Sequence, residues 1–264
     1  MIKSVQKIIC LCLIIELVLL HFTTTGSRED TVPNREIICT GTESHMSVPS
    51  NRQKHYQNIR DRYTNCTYID GNLELTWLED ENLDLSFLHN IREVTGYILI
   101  SYVKVRRVVL PRLMIIRGRN QFKVQKQPTG FALIVSYNNI KTLEMPSLRE
   151  ILSGSVGFFN NHNLCHIRSI QWQELLSGSD AVFTYVYNLT LGEWKCPPCD
   201  QSCVSGCWAE GPHNCQKFSK INCSLQCYKG RCFGLNPREC CHLFCAGGCV
   251  GPKQSDCLVC YKLS

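Results

Sequence analysis

Cys199-Asp200-Gln201-Ser202-Cys203-Val204-Ser205-Gly206-Cys207-Trp208-Ala209-Glu210-Gly211-Pro212-His213-Asn214-Cys215 sets four cysteines apart by three, three and seven residues. The same figure returns twice. Cys223, Cys227, Cys232 and Cys240 are separated by three, four and seven residues, and Cys241, Cys245, Cys249 and Cys257 by three, three and seven. A Gly/Pro turn stands between the third and fourth cysteine of each unit: Gly211-Pro212, Gly234 with Pro237, and Gly251-Pro252. Units this short cannot bury a core, so their shape has to come from crosslinks. The spacing predicts a row of small disulfide-stapled modules, attached to whatever the rest of the chain forms.

Of 264 residues, 19 are cysteine, and 13 of these fall in the last 66 positions. That asymmetry predicts a first domain with an apolar core and a second held by disulfides. Lys3 and Lys7 precede an apolar run from Ile8 to Leu20, followed by small polar residues from Thr23 to Ser27. The layout is that of a secretory signal over residues 1–26 with cleavage after Gly26. The alternative, an uncleaved anchor, is disfavoured because the run is too short to span a bilayer and contains Glu16. No later segment is apolar enough to cross a membrane, so the chain as given is expected outside the cell, where cysteines oxidise. Loss of Cys10 and Cys12 with the signal leaves an odd number of cysteines. Cys260 stands where a fourth unit would open, which points to a fragment or a truncated isoform. The net charge of +6 is spread along the chain and is weak evidence for an acidic partner; no nucleic-acid partner is expected.

Upstream of the rod the pattern is apolar. A helix is expected over Asn51 to Arg62, with Ser50 as its cap and Tyr56 and Ile59 on one face. Leu88, Ile91 and Val94 lead to Gly96; Leu110, Leu113 and Ile116 to Gly118; Met145, Leu148 and Ile151 to Gly154. Beside these triplets lie β-type runs: Gly71 to Leu75, Gly96 to Ile100, Phe131 to Val135 and Ser155 to Phe158. The runs recur about every 24 to 35 residues, a period that fits the turns of a solenoid. Leu73 and Leu75 should point inward and Asn72 and Glu74 outward. An α/β domain is the alternative, but the intervening segments are short for crossover helices. Ile170, Trp172 and Leu175-Leu176 read as a short capping helix. The expected fold class is therefore mostly β, a solenoid followed by a disulfide-rich modular rod.

Catalysis finds no support. No phosphate-cradling glycine loop, G-x-S-x-G elbow or H-E-x-x-H helix occurs, so neither an enzyme nor a cofactor is expected. Asp80 and Glu81 sit in a polar loop rather than as a catalytic pair. Zinc is disfavoured because the eight histidines do not cluster and secretion oxidises thiols. Cys196-Pro197-Pro198-Cys199 has redox C-x-x-C spacing but lacks a βαβ setting; the two cysteines are expected to bridge in opposite directions. Asn65, Asn188 and Asn222 are N-glycosylation acceptors, and Asn188 alone lacks a cysteine in the middle position.

Several segments resemble the first extracellular L domain of epidermal growth factor receptors. They are Asn65-Cys66-Thr67-Tyr68-Ile69-Asp70-Gly71-Asn72-Leu73-Glu74-Leu75, Leu83 to Leu88, Ile91 to Tyr97, and Ile115-Ile116-Arg117-Gly118. Ser169-Ile170-Gln171-Trp172, Asn214-Cys215-Gln216-Lys217, Glu239-Cys240-Cys241-His242 and Cys245-Ala246-Gly247-Gly248-Cys249 also resemble those receptors, and the match covers residues 37 to 261. The resemblance implies a right-handed β-helix over 37–198 and a truncated furin-like cysteine-rich rod over 199–264. It implies the bridges Cys39–Cys66, Cys165–Cys196, Cys199–Cys207, Cys203–Cys215, Cys223–Cys232, Cys227–Cys240, Cys241–Cys249 and Cys245–Cys257, with Cys260 unpaired. It implies that Trp208 wedges into the L domain. It implies a ligand face on Met46, Val48, Trp77, Tyr102, Lys123 and Ser136, the last two being positions where this chain departs from vertebrate-type residues.

These expectations describe the growth-factor-binding portion of a plasma-membrane receptor tyrosine kinase that dimerises on binding an EGF-like ligand. The family's dimerisation arm, second L domain, membrane helix and kinase are not in this sequence, so the chain should bind ligand weakly and not signal. Another receptor chain is a possible second partner. The rival expectations are a secreted decoy that sequesters ligand and a purely structural spacer.

Overall fold

The computed structural model describes residues 36–125, 129–186, 196–220 and 223–260, and from Ile37 onward these belong to one compact unit. The expected signal sequence and the acceptors Asn188 and Asn222 lie outside the described residues.

The chain is mostly β, with few helices and many disulfides. In order come β1 (Ile38–Thr40), α1 (Arg52–Tyr63), β2 (Tyr68–Asp70), β3 (Leu73–Thr76), β4 (Glu93–Val94), β5 (Ile98–Ser101), β6 (Arg107–Val109) and β7 (Ile115–Ile116). Then follow β8 (Phe131–Ser136), β9 (Thr142–Glu144), β10 (Glu150–Ile151), β11 (Ser155–Phe159), α2 (Trp172–Leu175), β12 (Phe183–Val186), β13 (Cys245–Cys249) and β14 (Cys257–Cys260). Two parallel five-stranded sheets arise, in the orders β1-β2-β4-β7-β10 and β12-β11-β8-β5-β3, and a third parallel pair joins β6 to β9.

Register stacks like on like. Ile69, Val94, Ile116 and Ile151 are partners along the first sheet. Leu75, Ile100, Val135 and Phe158 are partners along the second. All eight belong to one buried cluster. The nine triplet residues from Leu88 to Ile151 lie in the same cluster. Repetition of an aliphatic side chain every third residue therefore builds one continuous core instead of several small ones.

Two glycines show why no side chain is tolerated there. A Cβ on Gly96 would stand 1.9 Å from Asn72 Oδ1, so close approach demands glycine at that point. Gly118 does turn the backbone, at φ 62°, and a Cβ there would also meet the Ser153 carbonyl at 1.9 Å.

One expectation is corrected and one is extended. Asn51, not Ser50, caps α1: its side chain accepts the Lys54 N–H at 2.8 Å. Asn72 and Glu74 point away from the main core yet are buried, because residues 42–46 lie over them. Asn72 Nδ2 donates to the Thr42 carbonyl, and Glu74 accepts the N–H groups of Ser44 and His45 at 2.7 and 2.9 Å. A strand pattern cannot reveal that another segment covers its outer face.

The disulfides join Cys39 to Cys66, Cys165 to Cys196, Cys199 to Cys207, Cys203 to Cys215, Cys223 to Cys232, Cys227 to Cys240, Cys241 to Cys249 and Cys245 to Cys257. Cys260 is free and half-buried. Each cysteine unit makes buried contact with the first domain. Trp208 is buried in the main cluster, edge-on to Trp172 at 5.6 Å. Arg231 Nε donates to Glu150 at 2.9 Å, with both side chains buried. In the third unit Ala246 packs on Ile115 and Leu152, and the Gly247 N–H donates to Glu150 at 2.7 Å.

Candidate ligand-binding face

The strands of the second sheet end in step. Thr76, Ser101, Ser136 and Phe159 are register partners, and the next residue in each case, Trp77, Tyr102, Tyr137 and Asn160, has a positive φ of 52 to 56°. The left-handed conformation turns each chain out of the sheet at the same height. Three rings are thereby piled into a column. Trp77 stacks on Tyr102 with centroids 4.1 Å apart and planes 1° from parallel, and Tyr102 stacks on Tyr137 at 5.6 Å and 8°. Bulky side chains avoid this region of backbone space at a cost of order 1–3 kcal/mol each. Stacking returns part of it, about 0.5–1.5 kcal/mol per pair.

The column has a charged end. Arg52 at the start of α1 lies over the Trp77 ring, 5.0 Å from its centroid, and pairs with Glu79 at 3.2 Å. Beyond Tyr137 a groove continues past Lys104, Asn139, Asn160 and His162. Trp77 and Tyr102 are half-buried, while Tyr137 is 52% exposed.

A second apolar surface adjoins it on the same sheet. Tyr97, Leu99, Phe131 and Ile134 form a cluster distinct from the main core, covered by Met46 from one side and by Phe122 and Val124 from another. The Met46 carbonyl accepts the Trp77 Nε1–H at 3.3 Å, which ties this surface to the column. A polar knot anchors the covering segment: Tyr97 Oη donates to the buried Glu74 at 2.6 Å and lies 2.9 Å from Nδ1 of the exposed His45. Burial, and then the adjacent Glu74 carboxylate, push the Tyr97 phenol far above its ordinary pKa, so it remains a donor.

Three of the six expected face residues, Met46, Trp77 and Tyr102, thus lie around one surface, and Val48, two positions after Met46, is 63% exposed. Lys123 is exposed between Phe122 and Val124. Ser136 is a correction: it is buried, and its hydroxyl lies 3.0 Å from that of Ser101. The exposed side chain at that rung is Tyr137. The repeated strand register, extended by one residue past Val135-Ser136, was the signal that would have found it. Arg52 was also missed, since nothing in its own neighbourhood indicates a ring partner.

The remaining expectations fall elsewhere. Trp208 is 1% exposed. Asn65 is exposed, with φ 63°. His166, Cys199 and Cys207 bring three metal-type ligand atoms within 4.8 Å, but the two sulfurs are bonded to each other and offer no thiolate. Cys196 and Cys199 bond away from one another, so the C-x-x-C spacing forms no redox pair. Among the described residues no helix is long and apolar enough to cross a membrane.

The described residues thus combine two parallel sheets, a partly exposed aromatic column and a run of cysteine-stapled units. Residues 65–176 match the receptor L domain family, and residues 188–264 match the furin-like cysteine rich region. The chain is 60% identical over 242 residues to the epidermal growth factor receptor of Drosophila melanogaster, covering 90% of this chain and 17% of that protein. It is 68% identical over 102 residues to the epidermal growth factor receptor of Apis mellifera, 39% of this chain and 8% of that protein. With the melanoma receptor tyrosine-protein kinase of Xiphophorus maculatus it shares 39% identity over 227 residues, 80% of this chain and 18% of the other. The chain belongs to the epidermal growth factor receptor family. It spans less than a fifth of the length of these relatives, over the part that carries the receptor L domain and the furin-like cysteine rich region.

Proposed function

We propose that this chain is the growth-factor-binding part of an extracellular receptor. In this reading residues 37–198 form the L domain, wound as a right-handed β-helix, and residues 199–264 begin the furin-like rod. The observation that carries binding is the column of Trp77, Tyr102 and Tyr137. Half-exposed aromatic rings flanked by an arginine are the side chains that dominate protein interface energetics. The neighbouring Met46 and Val48 extend the apolar surface, and Lys123 at its rim contributes to the rate of encounter more than to affinity.

The names of the relatives support an EGF-like protein growth factor as the partner. The parent is a plasma-membrane receptor tyrosine kinase that dimerises with another receptor chain when ligand binds; this portion lies outside the cell and inserts in no membrane. Asn65, Asn188 and Asn222 are N-glycosylation acceptors, and a glycan on any of them would exclude partners from its surroundings. Trp208 sets the angle of the rod.

Titration of the purified chain with an EGF-like growth factor tests this reading. Tyr102→Asn removes a ring but keeps a residue tolerant of positive φ, as Asn160 does at the corresponding place. It should weaken binding about tenfold or more, the loss expected of a central aromatic. Ser136→Ala should leave affinity unchanged. An unaltered affinity in Tyr102→Asn, or no saturable binding by the parent chain, overturns the proposal.

A further inference from the structure

Where the first cysteine unit meets the L domain, His166 Nδ1 lies 3.2 Å from Cys207 Sγ. Cys207 is bonded to Cys199, so its sulfur has no proton to give, and the imidazole must carry hydrogen on Nδ1. The two residues differ in access: Cys207 is fully buried, whereas Cys199 is half-exposed. Ser169 fixes the same corner, its hydroxyl accepting the Cys207 N–H at 3.1 Å and lying 3.5 Å from Cys199 Sγ. Burial holds the His166 pKa below its ordinary value, against the opposing pull of Glu210 and Glu144, so the ring is neutral at pH 7.

We propose that Cys199–Cys207 is a thiol-exchangeable bridge, in which His166 stabilises the buried sulfur as it leaves. The co-reactant is a low-molecular-weight dithiol. Its thiolate attacks the half-exposed Cys199 Sγ; the protein S–S bond breaks, and the electron pair goes to Cys207 Sγ. That thiolate receives the hydrogen bond from His166 Nδ1–H, while a mixed disulfide stands on Cys199. The second thiolate of the reductant then attacks its own bound sulfur, closes a cyclic disulfide and releases Cys199. Two electrons pass to the protein, and the two protons of the dithiol end on Cys199 and Cys207. Exchange is faster when the leaving thiolate is better stabilised, and a buried thiolate without a donor is a poor leaving group. Trp208 follows Cys207 directly, which sets the exchangeable bridge at the joint between domain and rod.

The second unit supplies an internal control. Cys223–Cys232 occupies the corresponding place, both its cysteines are half-exposed, and among the described residues it has no hydrogen bond from a histidine. Limiting dithiothreitol, trapping with iodoacetamide at graded times and peptide mapping measure each bridge in the intact chain. Cys199 and Cys207 should be labelled about tenfold sooner than Cys223 and Cys232, although the control bridge is the more accessible. His166→Asn keeps a residue suited to the positive φ of 69° and should bring the two rates together. Equal rates in the parent chain, or an unchanged rate in His166→Asn, overturn the proposal.

Discussion

Glu150 is a carboxylate with no exposed surface, and it survives there because four donors surround it. Arg231 contributes two N–H groups, and Gly247 N–H and the Ser177 hydroxyl complete the set. Burial alone would raise its pKa; the hydrogen bonds and charge of Arg231 outweigh that and hold it below the ordinary value. A depressed native pKa gives stability that is complete above the unfolded value, near 4.5, and is lost as pH falls through the native one. Glu144 adds in the same direction, since burial is again outweighed by Arg107 and Thr142. Urea midpoints measured between pH 6 and 3 should therefore fall on acidification. Glu150→Gln should flatten that fall and cost roughly 3 kcal/mol at neutral pH by leaving Arg231 buried without its counter-charge. A milder effect is expected at Asn51, where Asn51→Ala removes the α1 cap and should lower stability by about 1 kcal/mol. The cap was assigned to the wrong neighbour by sequence alone, because Ser50 and Asn51 both have the chemistry and only the backbone position decides.

At the scale of elements, the aliphatic triplets and the β-type runs were readable because each repeats. A period shared by several segments says that they stack, whatever each segment prefers alone. Leu113 belongs to such a triplet and is fully buried. Leu113→Asp would bury a charge without a partner and should prevent secretion of the chain, assayed by comparing medium with cell lysate. The covered outer face of the second sheet was not readable. Glu74 and Asn72 have the polarity of solvent-facing residues, and their burial depends on residues 42–46 arriving from about 30 positions away. The aromatic column was half readable: Trp77 and Tyr102 were singled out, but Tyr137 emerges only when the strand ends are aligned in register.

Over the whole molecule, the rod is not merely tethered to the first domain. Trp208, Arg231 and Ala246 make one buried contact from each successive cysteine unit. Trp208→Ala should leave every bridge closed while broadening the distance distribution from small-angle scattering, because the first of these contacts is lost. Truncating a buried tryptophan should also cost about 3–5 kcal/mol. By itself the sequence determined the repeating β runs, the stapled cysteine units and the family, since these depend on spacing along one chain. Which outward-facing strand residues are covered, which rings stack at the strand ends and where a histidine meets a disulfide were decided only by tertiary structure. Such contacts join residues tens of positions apart, and a one-dimensional pattern has no term for what packs against it.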